Sequence, residues 1–157
     1  MEVTWQCRRF DELSSAELYE ILALRERVFI VEQKCPYPDC DGKDFDALHV
    51  MGRAAGNGPG ASRIVAYSRI LKPGVRFPEV SIGRVVVAPE HRGQSLGREL
   101  MHQSLKRVRD TYGPLAVRIS AQAYLEKFYS ELRFKRVSDE YMEDWIPHIE
   151  MLHHFEG

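Results

Sequence analysis

Residues 84–100 read RVVVAPEHRGQSLGREL. Val85, Val86 and Val87 suit a strand, Pro89 stops it, and from Gly97 apolar residues recur at helical spacing. Between strand and helix lies a short polar loop flanked by Gly93 and Gly97. The start of a helix leaves amides without partners and carries partial positive charge, so this order of elements turns backbone N–H groups toward an anion. Gly93 lets a ligand approach the backbone, and Gly97 keeps the first turn free of a Cβ. An ordinary turn into a helix has the same outline, so the stretch alone leaves phosphate binding open. Two nucleotide loops are excluded by spacing. The dinucleotide fingerprint needs G-x-G-x-x-G, and the P-loop ends in Gly-Lys-Ser/Thr, whereas Gly97 is followed by Arg98 and Glu99.

Upstream of this stretch, residues 2–8 alternate as a first strand. Ser14 and Glu17 form a capping box for a helix predicted over about 15–31, with Leu18, Ile21, Leu22, Arg25, Val28 and Phe29 at helical spacing. QKCPYPDCDGKDFDA (33–47) reads as a long loop, a kind that is often functional. Strands follow at 48–54 and 62–72, joined by the glycine-rich hairpin connection AAGNGPGA, and a third at 79–88. Downstream, Leu96, Leu100, Met101, Leu105 and Val108 form one stripe of a helix ending near Tyr112. A strand at Leu115–Ser120, a helix at 122–132 and strands at 134–139 and 147–153 complete the chain. The order implies a single α/β domain over 1–157, a mixed β-sheet flanked by helices.

The chain has 157 residues, a 44% apolar and 29% charged composition and a net charge of −1. These values suit one core, and no basic surface points to nucleic acid or to a membrane. No apolar run approaches the roughly 20 residues of a membrane span, and the N-terminus lacks a signal-peptide stretch. Three cysteines, Cys7, Cys35 and Cys40, fit free thiols and a cytoplasmic location better than a disulfide framework. No metal site is expected. Counted from Asp39, glycine falls fourth and Val50 twelfth, which fails the EF-hand pattern, and Cys35 and Cys40 lack partners at zinc spacing.

Arg92, Ser95 and Gly97 have the form of an R-x-x-G-x-G motif with its middle glycine replaced, and Phe128-Tyr129 follows about 30 residues on. With these, the sequence resembles the GNAT superfamily of N-acetyltransferases and, more narrowly, the ElaA family. The residues carrying the narrower resemblance are Arg25, Val28-Phe29, Val31-Glu32-Gln33, Cys35-Pro36-Tyr37, Asp39, Asp41-Gly42, Ile82-Gly83-Arg84-Val85, Ala121-Gln122-Ala123 and Ile146-Pro147-His148-Ile149. The resemblance spans nearly the whole chain.

It implies the acyl-CoA N-acyltransferase (GNAT-like) fold, acetyl-CoA as cosubstrate and an amine acceptor, either a small molecule or a protein amino group. It also allows a homodimer. The loop Arg92, Gly93, Gln94, Ser95, Leu96 and Gly97 would bind the pyrophosphate through backbone amides. Val85, Val86 and Val87 would bulge to hold the pantetheine arm and polarise the thioester carbonyl. Gln122, standing where asparagine is common, would keep an amide for the same arm. Ser95 is compatible with the motif if its φ is negative, while Arg133, where glycine is common, implies a different helix end.

For the chemistry, the resemblance points to Tyr129 as the general acid that donates to the departing thiolate, although a half-buried tyrosine also serves simply to pack a helix on a sheet. Glu32 is a candidate base or ammonium anchor, and helix-end carboxylates are as often merely solvated. His49 titrates near neutrality beside the same loop, with a structural role as its alternative. His148 has the same standing at the acceptor pocket. Asp39, Asp41 and Asp44 are expected to recruit a cationic amine. The cysteines lie outside the cofactor motifs, which disfavours a cysteine relay. The expected activity is direct attack of a primary amine on acetyl-CoA in a ternary complex, and the rival is a non-catalytic acyl-CoA-binding or regulatory domain.

Overall fold

The computed structural model describes residues 2–56 and 62–156. It begins with β1 (Val3–Arg9), then α1 (Ser15–Arg25), whose start is fixed by the Ser14–Glu17 capping box: the Glu17 amide donates to Ser14 Oγ at 3.0 Å and the Ser14 amide to Glu17 Oε1 at 2.9 Å. The helix predicted to run on to about residue 31 changes character at Glu26. Glu26–Glu32 is π-helical, and its widened turn is closed by Gln33 N to Val28 O at 3.0 Å and Cys35 N to Ile30 O at 3.1 Å. Such turns are frequent at functional sites.

The hairpin β2 (Leu48–Ala54) and β3 (Arg63–Leu71) pairs antiparallel, and part of its connection, 57–61, lies outside the described residues. Next come β4 (Val80–Val87), α2 (Leu96–Tyr112), β5 (Val117–Gln122), a 3-10 turn at Ala123–Leu125 and α3 (Glu126–Ser130). The predicted helix over 122–132 is thus shorter. β6 (Phe134–Arg136), β7 (Tyr141–Glu143) and β8 (Ile146–His153) close the chain, β7 being a strand without sequence signal.

The strands form one sheet in the order β1-β2-β3-β4-β5-β8-β6, with β7 also on β8. β3 is buried from Ile64 to Leu71, and α2 lays its predicted stripe on β2, β3 and β4. Ser104, the one polar residue among the buried positions of α2, is satisfied by Leu100 O and Ser68 Oγ, each at 2.7 Å.

Two expectations about the backbone are corrected. Ser95 caps α2 with φ +58, in the left-handed region rather than at negative φ, and Arg133 ends the α3 segment with φ +69. Both residues therefore adopt the conformation that glycine takes freely and that costs another L-residue about 1–2 kcal/mol. The glycine-to-Arg133 replacement keeps a left-handed helix end and adds strain to it.

Candidate active site

β4 and β5 run parallel but pair only through Val80 with Val117 and Ser81 with Arg118. Beyond that point neither strand has the other as a partner, although β4 continues to Val87 and β5 to Gln122. Ile82–Val87 and Ile119–Gln122 become the walls of a cleft of about 430 Å³. On its other side β4 bulges against β3: Tyr67 faces Val86 and Arg69 faces Gly83, so three steps on β4 match two on β3. The extra residue falls at Arg84–Val85, and Arg84 takes φ +50. Bulges of this kind free backbone groups from the ladder.

At one end the cleft meets the polar loop. Gly93 has φ +83, a conformation that only glycine adopts without strain. Among the described residues the amides of Gly93, Gln94 and Ser95 donate to no backbone carbonyl, and those of the first turn of α2 are unpaired by construction. A run of free N–H groups at the N-terminus of a 17-residue helix is chemically suited to a diphosphate. Leu96 is buried in the core, so its side chain anchors the loop while its amide stays with the run.

Of the residues singled out from sequence, the cleft brings together Val85, Val86, Val87, Arg92, Gln122, Tyr129, Glu32, Asp39 and His148. Gly93, Gln94, Ser95, Leu96 and Gly97 continue from its end. Tyr129 is 6% exposed, on α3, with its ring edge-on to Phe128 at 5.0 Å and Phe134 at 5.7 Å. Burial, with Tyr124 adding a little, pushes its phenol above the ordinary tyrosine range, so it carries its proton throughout neutral pH. Glu32 is not a free base: its two oxygens accept from Arg92 Nη2 at 2.7 Å and Nη1 at 3.1 Å.

His49 does not join this set. Its ring is wholly buried outside the cleft, with Nε2 2.9 Å from Asp44 O and Nδ1 2.6 Å from the Tyr67 hydroxyl. Burial lowers its pKa, which keeps the ring neutral. The acidic loop is corrected too. Arg25, fully buried, reaches Asp39 at 2.7 Å and Asp44 at 2.8 Å; Arg69 grips Asp41 through two bonds of 2.8 and 2.6 Å; and Arg84 lies 2.8 Å from Asp39. These carboxylates fasten the loop to α1, β3 and β4 and are not free to recruit an amine. Burial alone would raise the Asp41 and Asp44 carboxyls, but hydrogen bonds and charge, from Arg69 at Asp41 and from Arg25 and Arg69 at Asp44, hold both below the usual range.

Some cleft residues, Glu143 among them, carried no separate signal in the sequence. Glu143, from β7, accepts from Arg76 Nη2 at 2.6 Å and Ser120 Oγ at 3.3 Å, and its other neighbour is His148 Nε2 at 3.4 Å. His148 Nδ1 sits 2.7 Å from Ile146 O, so it donates there. The Nε2–Glu143 contact is an ion pair only when Nε2 also carries a proton. Gln33, at the π-helix end, accepts from Gln122 Nε2 at 3.4 Å across the cleft.

A parallel strand pair splayed at mid-sheet, with a bulge and an amide-lined loop at its mouth, is an acyl-CoA N-acyltransferase architecture. Residues 60–154, more than half of the chain, match the family described as an acetyltransferase (GNAT) domain. Protein ElaA of Escherichia coli K12 is 40% identical over 151 residues, covering 95% of each chain. The crystal structure of E. coli ElaA superposes with a TM-score of 0.87 at 39% identity, covering 98% of this chain and 100% of that one. A crystal structure described as an acyl-CoA N-acyltransferase from Pseudomonas aeruginosa gives 0.88 at 40% identity, over 97% and 99%. The chain belongs to the GNAT acetyltransferase family and, within it, to the ElaA family.

Proposed function

We propose that the protein transfers an acetyl group from acetyl-CoA to a primary amine by direct attack in a ternary complex. What carries this reading is the continuity of one surface: free amides from Gly93 into α2, the length of β4 that has no partner on β5, and Tyr129 in the same cleft. Acetyl-CoA, when bound, would supply the activated thioester. The loop amides and Arg92 would hold its diphosphate, and Gln122 with the β4 backbone at Val85–Val87 its pantetheine arm. Tyr129 holds a proton that it can donate toward the departing sulfur. Because that phenol is a weaker acid than a thiol, its service is a hydrogen bond to the forming thiolate. The His148–Glu143 pair, which lines the same cleft, would receive the proton the amine sheds. His49 and the Asp41–Asp44 group hold the scaffold. The chemistry takes place in the cytoplasm on this reading; among the described residues no helix is long and apolar enough to cross a membrane.

Thiol release from acetyl-CoA across a panel of amines, run beside thermal shifts with coenzyme A, tests the proposal. Thiol release with at least one amine supports it. Stabilisation by coenzyme A without release on any amine would replace it with a binding-only role.

A further inference from the structure

Four acidic residues line the cleft: Glu32, Asp39, Glu143 and Asp144. Three of them have an arginine that lines it as well, Glu32 with Arg92 at 2.7 Å, Asp39 with Arg84 at 2.8 Å and Glu143 with Arg76 at 2.6 Å. Among the described residues Asp144 has none. It is the negative charge that the cleft leaves unmatched.

Asp144 also has unusual company. Asp144 and Trp145 form the tip of the β7–β8 hairpin, both left-handed at φ +51 and +63. Two-residue hairpin loops of this conformation favour Asn-Gly, and a tryptophan in the second position is the reverse of that preference. The ring is 67% exposed, so core packing does not account for it. It is nonetheless held in place: it meets the Tyr37 ring edge-on at 5.2 Å, and Cys35 Sγ donates to Asp144 O at 3.3 Å. Tyr37 and the 75% exposed Tyr124 both line the cleft. Exposed aromatic residues along the same cleft and next in the chain to one unneutralised acidic residue are groups that an ammonium ion attracts.

We propose that the preferred acceptor is a diamine-like dication, with one amine reacting inside the cleft and a distal ammonium held by Asp144, Trp145 and Tyr37. The inference rests on the proposed acyl transfer and adds the substrate class. The reacting amine must give up its proton to attack, so it cannot be the charge that Asp144 meets in the productive complex. The distal amine keeps its proton and can. A monoamine of equal length forfeits the contact.

The test compares kcat/KM for diaminopentane and pentylamine, by thiol release from acetyl-CoA, with phenethylamine as an aromatic control. An exposed ion pair together with a cation–π contact gives an expected preference of about tenfold for the diamine. Asp144→Asn and Trp145→Ala should each bring the ratio of diamine to monoamine toward one. Asparagine accepts left-handed backbone well, so the first variant decides the matter even if the second fails to fold. As a readout independent of turnover, diaminopentane should raise the Tm of the coenzyme-A-saturated wild type and lose that effect in Asp144→Asn. Equal use of the two amines, a ratio unchanged in Asp144→Asn, or phenethylamine outperforming the diamine would overturn the inference while leaving acyl transfer intact. Failure of every amine to release thiol would remove acyl transfer itself, and the inference with it.

Discussion

Glu32 holds Arg92 with both carboxylate oxygens, at 2.7 and 3.1 Å, and its neighbour Gln33 accepts a hydrogen bond from Gln122 at 3.4 Å. Two adjacent residues at the end of the π-helix thus occupy the two side chains proposed to hold the coenzyme. A second bidentate pair, Arg27 with Glu90 at 3.2 and 2.7 Å, ties the same segment to the turn before Arg92. Diphosphate and Glu32 would compete for one guanidinium. Glu32→Gln weakens the competitor, so coenzyme A should bind more tightly, by up to about fivefold for a half-exposed pair. Arg92→Ala should weaken binding by about tenfold or more, because it removes a charge-assisted contact. Calorimetric titration of coenzyme A measures both, and weaker binding by Glu32→Gln would show that Glu32 supports Arg92 rather than competing for it.

Tyr129→Phe isolates the phenol. Phenylalanine keeps the edge-on contacts with Phe128 and Phe134, so the fold and the coenzyme site should persist. A hydrogen bond to the negative charge forming on a leaving group is worth about 10²–10³ in rate, and the expected result is a fall of that size in kcat with little change in coenzyme A affinity. A variant that turns over like wild type would assign Tyr129 to packing alone.

The Arg25–Asp39–Asp44 group predicts a stability effect rather than a catalytic one. Arg25 has no solvent-exposed surface, and three of its contacts are polar. Arg25→Leu strands Asp39 and Asp44 with one cationic partner fewer, and breaking a buried pair from one side typically costs about 3–5 kcal/mol. Urea unfolding should show an unfolding free energy lower by that amount. An unfolding free energy within about 1 kcal/mol of wild type would mean that the loop carboxylates find water instead.

What the sequence disclosed was local. The Ser14–Glu17 cap, the α2 stripe and the strand-loop-helix around Gly93 each depend on residues within a few positions of one another, and each was readable. The π-helix was not, because Val28 and Phe29 fit an α-helical row as well as a widened turn. The three residues of β7 were too few to show a period, so Glu143 went unnoticed. The fate of the acidic loop was hidden for another reason. Its partners Arg25, Arg69 and Arg84 come from a helix and two strands, and only the folded sheet brings them to Asp39, Asp41 and Asp44. His49 looked available because a strand-edge histidine beside a polar loop and a buried one have the same letters around them.

That buried ring gives the stability of the fold a pH dependence whose direction is fixed. Neutral His49 can donate from Nε2 to Asp44 O and accept at Nδ1 from Tyr67, an arrangement that protonation breaks. Burial lowers its pKa in the folded state, while the unfolded chain titrates near the ordinary 6.5. Below that value the unfolded chain binds a proton that the folded chain refuses, so stability is full above about pH 6.5 and declines as the pH falls, by at most about 1.4 kcal/mol per pH unit for one site. His153, also lowered by burial, adds to the same window. Asp41 and Asp44, lowered by their arginines, add a second decline below about pH 4. His49→Gln should therefore shrink the first decline without abolishing it and leave the second in place. Urea midpoints measured from about pH 7 down to about pH 3 resolve the two windows. Superimposable curves for wild type and variant between about pH 6.5 and pH 4.5 would show that His49 is charged in the fold and that its neighbours rearrange to accept it.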